Sequence, residues 1–168
     1  PPDHASPRQG VPQTSHPHAL LIGGQLALFE LFPGFDQELA NAGALQLNAG
    51  LDTREEWPGF DPFPQRDTGW ITYFMSRPLI ELTLRQRVRR QPNIEFHDCC
   101  RVNEIVAGSD GSAVGVRCDM AAPIADVILA DLVVDASGRG ALTHAFLRNT
   151  GRPEPEQETI AVDMNYAT

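Results

Sequence analysis

Cysteine is scarce in this chain of 168 residues: Cys99, Cys100 and Cys118 are all it has, and no two fall at C-x-x-C spacing. That excludes a dithiol redox pair of the thioredoxin kind and a cysteine-built zinc site. Adjacent Cys99 and Cys100 would project to opposite faces of a strand, so the three read as buried, reduced thiols. Histidine does not fill the gap, because His16 and His18 can approach each other but nothing nearby adds a third metal ligand at a workable spacing. Basic residues are also few, 13 against 22 acidic ones, for a formal net charge of -9. A chain so charged repels phosphate backbones and anionic membrane surfaces, which excludes nucleic acid as a main partner. Long apolar runs are missing too: each is broken by charge well short of the ~20 residues that cross a bilayer. No basic-then-apolar signal pattern opens the chain, and the expected location is cytoplasmic.

What is present is a globular composition, 42% apolar and 21% charged, with 14 Pro and 14 Gly implying long irregular connections. The length suits one domain or part of a larger one. PPDHASPRQG lacks an initiator Met, and Tyr166-Ala167-Thr168 follows directly on a strand-like run, so both ends read as cut from a longer chain.

Residues 1–17 read as a loop or an ordered extended segment, with little apolar periodicity. From His18, the leucines and phenylalanines at 20, 21, 28, 29, 31 and 32 fall at helical spacings, with Pro17 in the first turn and Pro33-Gly34 as the stop. Gly23-Gly24 in the middle of that helix costs ~1 kcal/mol per glycine, a sign of close packing against another element or a ligand. A second helix, 36–42, is signalled by Asp36 as N-cap and Gly43 as its end. Alternation over 44–51 is followed by an irregular excursion, 52–68, containing three prolines. The run GWITYFM, 69–75, predicts a strand, and Ser76-Arg77-Pro78 predicts a capped helix start. Leu79, Ile80, Leu84 and Val88 form that helix's apolar stripe, while Arg85, Arg87, Arg89 and Arg90 read as solvated charges near its negative end. Then come a short strand, 94–96, a three-stranded antiparallel meander over 101–107, 113–119 and 124–129, a buried parallel-type strand at 132–134, a helix at 141–148 and a last strand at 159–166. The order predicts an α/β fold with an antiparallel insertion. No internal repeat is visible.

The junction DLVVDASGRG, 131–140, carries the chemistry. In an open α/β sheet, ligands collect where strands end and helix amino termini expose unpaired N–H groups. Ala136 and Gly138 leave room for a flat ligand to touch backbone, and Ser137 offers a hydroxyl. Asp135 would repel a pyrophosphate, so its partner is a hydroxyl or a water, or else it caps the following helix. The phosphate-cradling pattern G-x-G-x-x-G is absent, since Gly138-x-Gly140 is followed by Ala141, Leu142 and Thr143.

Four ordered segments, GVPQTSHPHALL (10–21), FELFPGF (29–35), FMSRPLIELTLRQRV (74–88) and ADLVVDASGRG (130–140), together with the closing VDMNYAT (162–168), resemble the flavin-dependent oxidoreductases related to aromatic-ring hydroxylases, geranylgeranyl reductases and flavin halogenases. The resemblance implies a partial, Rossmann-like FAD/NAD(P)-binding domain over 1–158, with the meander 101–129 as its insertion. Residues 159–168 would begin a substrate-domain strand. It further implies FAD as cofactor, NAD(P)H as reductant and an apolar or aromatic small molecule as substrate, with oxygen as co-substrate in a monooxygenase or without it in a reductase. A non-catalytic domain of the same fold is the remaining reading. By resemblance, Ala136, Ser137 and Gly138 line the FAD site beside Asp135, Arg77 approaches the cofactor, Gln13 and His18 lie on a loop crossing near the flavin, and Val102 meets the adenine. His18 can equally be a loop-packing residue and Arg77 a helix-start charge. No catalytic base is expected in this region, because the protein mainly positions groups around a cofactor that carries the chemistry. Without the preceding βαβ unit, exposed sheet edges are expected to make copies of the chain associate.

Overall fold

The computed structural model describes residues 3–7, 11–119 and 126–163. The chain divides into two compact units, Pro1–Glu95 and Phe96–Ala167.

In the first unit a single 3-10 turn, Pro12–Ser15, leads into strand β1, Pro17–Leu20. Helix α1, Ile22–Leu31, and helix α2, Phe35–Asn41, follow, and then strands β2, Leu45–Asn48, and β3, Ile71–Ser76. Helix α3, Arg77–Arg89, starts on the residue after β3 ends. The sheet order is β1-β3-β2, antiparallel throughout, with Pro17 opposite Ser76 and Leu45 opposite Phe74. Being central, β3 is the strand whose side chains are buried, and Tyr73 and Met75 join Phe35, Leu39 and Ala44 in the core. Phe29 meets Tyr73 edge-on with ring centroids 5.7 Å apart, a favoured aromatic geometry.

Residues 18–20 correct the sequence reading. They form part of β1 and not the start of the helix, which begins at Ile22. Leucines at 20, 21 and 28 fit a helical stripe, but pairing with a distant strand outweighs that local preference. Gly24 does make a close approach, since a Cβ there would lie 3.1 Å from Leu20 Cδ1, whereas Gly23 has open space around it. Asp36 is not the N-cap of α2 either. Gly34, in the left-handed region at φ 81°, turns the chain, and Asp36 sits in the first turn, where its charge favours the helix dipole. Ser76 caps α3 as its sequence implies, accepting the Leu79 N–H at 3.3 Å. The arginines near the end of α3 are not all solvated. Arg87 and Arg90 (2.6 Å) both bind Glu38 on α2, and Arg87 also donates to the Pro33 carbonyl at 3.1 Å.

The excursion between β2 and β3 has no strands or helices but is closed by hydrogen bonds. The Ala49 N–H donates to Trp70 O (3.1 Å), Arg66 N–H to Gly50 O (2.9 Å), and Phe63 N–H to Glu55 O (3.1 Å). Side chains reinforce the closure: Gln65 donates to Leu51 O at 2.7 Å and Asn48 to the Asp67 carboxylate at 2.7 Å.

In the second unit, β4 (Arg101–Ala107), β5 (Ala113–Asp119) and β6 (Val127–Leu129) form the expected antiparallel meander in the order β4-β5-β6. Gly108 and Gly111 close its first turn, with Gly108 N–H donating to Ser112 O at 2.8 Å. Helix α4, Ala141–Asn149, packs on β4. Three expected strands are corrected. Residues 94–96 are irregular, Ile94 continuing the turn that ends α3 through its N–H to Gln91 O. Residues 132–134 are neither paired nor buried, with Leu132 77% and Val134 78% exposed, because neither sheet among the described residues takes them in. Residues 159–163 are unpaired and exposed; the rest of that expected strand, and 124–125 of the meander, lie outside the described residues. The fold is thus a mixture of helices and antiparallel sheets.

Candidate functional site

Alternation survives in the unpaired run before α4: Val133 and Asp135 are half-buried, while Leu132, Val134 and Ala136 are more exposed. This period of two turns Asp135 inward, toward the start of α4. Its carboxylate accepts the Ser137 N–H at 3.0 Å on one oxygen, and the Thr143 N–H (3.2 Å) and hydroxyl (2.6 Å) on the other. The Ser137 and Thr143 hydroxyls and these backbone N–H groups hold the carboxyl well below the usual carboxylate range. Gly138 at φ 102° and Gly140 at φ 65° make the reversal that brings Thr143 back to Asp135. Asp135 therefore ties the turn to the first turn of α4 and places a negative charge at the helix's positive end.

Beside this turn lies a cavity of ≈ 170 Å³. Val102 and Ile105 of β4 and Val116 of β5 form one wall; Val133, Val134, Asp135, Ala136 and Ser137 form another, with Leu142 of α4 closing it. Four of the residues singled out in the sequence, Val102, Asp135, Ala136 and Ser137, thus come together around one largely apolar space. Gly138 shapes the turn without lining it.

The other three lie in the first unit. Gln13 is exposed in the 3-10 turn, where its carbonyl accepts the His16 N–H. His18, half-buried on β1 opposite Met75, has Nδ1 2.8 Å from the His16 carbonyl oxygen, which fixes the proton on that nitrogen. It lines a shallow recess with His16, Phe74, Met75 and Ser76. Arg77 does not line that recess. Its Nε donates to Glu81 one helical turn on, at 2.8 Å, the pairing of a helix-start charge.

Sequence reasoning missed Thr143, whose two bonds to Asp135 span eight residues and depend on the turn between them. It also missed a polar cluster on α4. His144 Nδ1 is 2.8 Å from Glu154, Arg148 donates to the same carboxylate oxygen at 2.9 Å, and Gln157 Nε2 is 2.6 Å from His144 Nε2. Burial pushes Glu154 up, but hydrogen bonds from His144 and Arg148 outweigh it and hold the carboxyl below its usual range. Among the described residues no group of three or more His, Cys, Asp or Glu side chains could hold a metal ion, and no helix is long and apolar enough to cross a membrane.

The chain is 29% identical over 175 aligned positions to Protein Rv3254 of Mycobacterium tuberculosis, an alignment that covers 99% of this chain and 37% of that protein. The chain therefore spans little more than a third of that relative's length. Comparison with models of known protein families finds none that matches.

Proposed function

We propose that this chain is an internal portion of an FAD-dependent oxidoreductase of monooxygenase type, using NAD(P)H and oxygen on an apolar or aromatic small molecule. The observation that supports this reading is the cavity beside the Asp135 turn, which gathers Val102, Asp135, Ala136 and Ser137. At ≈ 170 Å³ it is smaller than the ~300–1,000 Å³ of complete small-molecule sites, and it suits one flat ring system, not a whole dinucleotide. That fits the adenine end of FAD: Val102, Ile105 and Val116 offer apolar walls that exclude water, and Ala136 leaves backbone open to close approach. Asp135 keeps its carboxylate engaged with Ser137 and Thr143, so it shapes the site without presenting a free charge to the ligand. When bound, FAD would supply the redox chemistry, and Val102, Ala136 and Ser137 would hold its adenine end. His18 and Arg77 enter the proposal on the family resemblance alone. The Rossmann-like character of the domain and a cytoplasmic location belong to the same proposal.

The test uses the full-length protein that carries this chain. Released flavin should be FAD, and Ala136→Leu, which fills the cavity, should lower FAD retention at least severalfold; a protein that takes up no FAD from a saturating solution would sink the reading. Product analysis with and without oxygen then decides between oxygen insertion and reduction. The 168-residue chain alone should hold FAD weakly, because its sequence has no G-x-G-x-x-G turn to cradle the pyrophosphate. With Leu129, Leu132 and Val134 exposed, it should also self-associate. A monomer in sedimentation at high concentration would refute that.

A further inference from the structure

At its tip the loop between β2 and β3 carries three large aromatic side chains into solvent: Trp57 is 58%, Phe60 80% and Phe63 60% exposed. Together with Asp61 they alone line a cavity of ≈ 330 Å³ at the loop's tip. Aromatic rings held apart in water usually collapse onto one another, since stacked or edge-on pairs gain ~0.5–1.5 kcal/mol beyond burial. Here they do not. Neither the Phe29–Tyr73 nor the Phe32–Phe35 ring pair includes a loop ring.

The backbone keeps them apart. Pro58 and Gly59, the latter at φ 85°, make a tight turn that returns the Phe60 N–H to Trp57 O at 3.1 Å. The Phe63 N–H reaches back to Glu55 O at 3.1 Å, closing the other side. Trp57 is further oriented by its indole N–H, which donates to the Glu55 carboxylate at 2.9 Å. Each ring therefore stands on its own anchored stretch of backbone around a common space.

The charge around this space has one sign in excess. Asp52, Glu55, Glu56, Asp61 and Asp67 outnumber Arg54 and Arg66 in the loop, and Arg54 is paired with Glu56. Ring faces are negative by their quadrupole, and a carboxylate in the lining adds a full negative charge. Three open rings plus one acid is a set that repels anions, gains little from a neutral alkyl group in so wet a site, and attracts a soft, weakly hydrated cation.

We propose that Trp57, Phe60, Asp61 and Phe63 form an aromatic cage for an alkylated ammonium group. Such a head presents positive charge on methyl groups that can touch several ring faces at once, with Asp61 as counter-ion. The site lies wholly within the loop and does not depend on the flavin assignment.

Choline and its neutral carbon isostere, 3,3-dimethylbutan-1-ol, are titrated calorimetrically into the full-length protein. Choline should bind saturably, on the order of tenfold tighter than the isostere, because only the charge differs. Trp57→Leu should abolish that preference, and Asp61→Asn, which leaves the rings in place, should weaken choline severalfold while leaving the isostere unchanged. A trimethyl-lysine peptide run in parallel distinguishes a free amine from a side chain presented on a protein, the tighter of the two identifying the source. Equal affinity for choline and the isostere, no saturable choline binding, or choline binding indifferent to both substitutions would each overturn the proposal.

Discussion

Replacing Gly50 with alanine should open the β2–β3 loop while leaving the core of its unit intact. The backbone conformation at Gly50 is an ordinary one, so the strain comes from space alone. A Cβ built there would lie 1.9 Å from Arg66 O and 2.8 Å from Thr68 Cγ2. The first of these atoms is backbone and cannot swing away. The Arg66 side of the loop must therefore withdraw, breaking its N–H bond to Gly50 O and dragging Gln65 from Leu51 O. Two hydrogen bonds at ~0.5–1.5 kcal/mol each put the cost at about 1–3 kcal/mol. Because the loop contributes nothing to the Phe35, Leu39 and Tyr73 core, the cost should appear as local opening and not as a lower global midpoint. When opening is fast relative to cleavage, proteolysis follows the open population, so 1–3 kcal/mol corresponds to about 5- to 150-fold faster cutting. Trypsin at low concentration has Arg54 and Arg66 available within the loop. Rates of cleavage there, with hydrogen exchange at the Arg66 amide, measure the effect directly. Unchanged protection of that amide in Gly50→Ala would refute the claim that a missing Cβ is what lets the loop close.

Gly23→Ala should stabilise, by ~0.5–1 kcal/mol, because Gly23 is inside α1 with open space where the methyl would go; a rise of a few degrees in Tm is the expected readout. Leu39→Ala should cost ~2–5 kcal/mol in urea unfolding, since Leu39 is fully buried between α2 and the sheet. Burial pushes Glu38 up, but hydrogen bonds and charge from Arg90 and Arg87 outweigh it and hold its carboxyl below 4.5. Its pairing therefore stabilises the folded chain above the unfolded-state value and is lost as pH falls through the lowered one. Glu38→Gln should flatten that part of the acid limb of the urea midpoint, and an unchanged limb would count against the pairing.

Local signals carried most of what was legible. Ser76 followed by Arg77-Pro78 marks a helix start because a hydroxyl can reach the Leu79 N–H from there, and it does. The glycine turn at 108–111 fixes the first two strands of the meander because only a few turn geometries join antiparallel neighbours. What was not legible depends on partners far along the chain. His18-Ala19-Leu20 became a strand because Tyr73, Phe74 and Met75 offer it an edge, and no window around residue 18 contains them. The apolar run 132–134 looked buried because β-branched residues favour sheet interiors, yet burial requires flanking strands that the described residues do not supply. The cavity gathers Val102, Asp135, Ala136 and Ser137, which the sequence singled out, with Ile105, Val116 and Leu142, apolar residues that carry no motif of their own. Thr143 was missed because its role exists only once two left-handed glycines fold the chain back on Asp135.

Strand β3 passes into α3 with no intervening residue, Ser76 ending one and Arg77 beginning the other. A junction of zero length has no torsional slack, so α3 cannot tilt or slide without pulling on the central strand and, through it, on both neighbouring strands. The helix and sheet should respond to force as a single lever, and residues inserted between 76 and 77 should be far more disruptive than the same insertion at the tip of the β2–β3 loop.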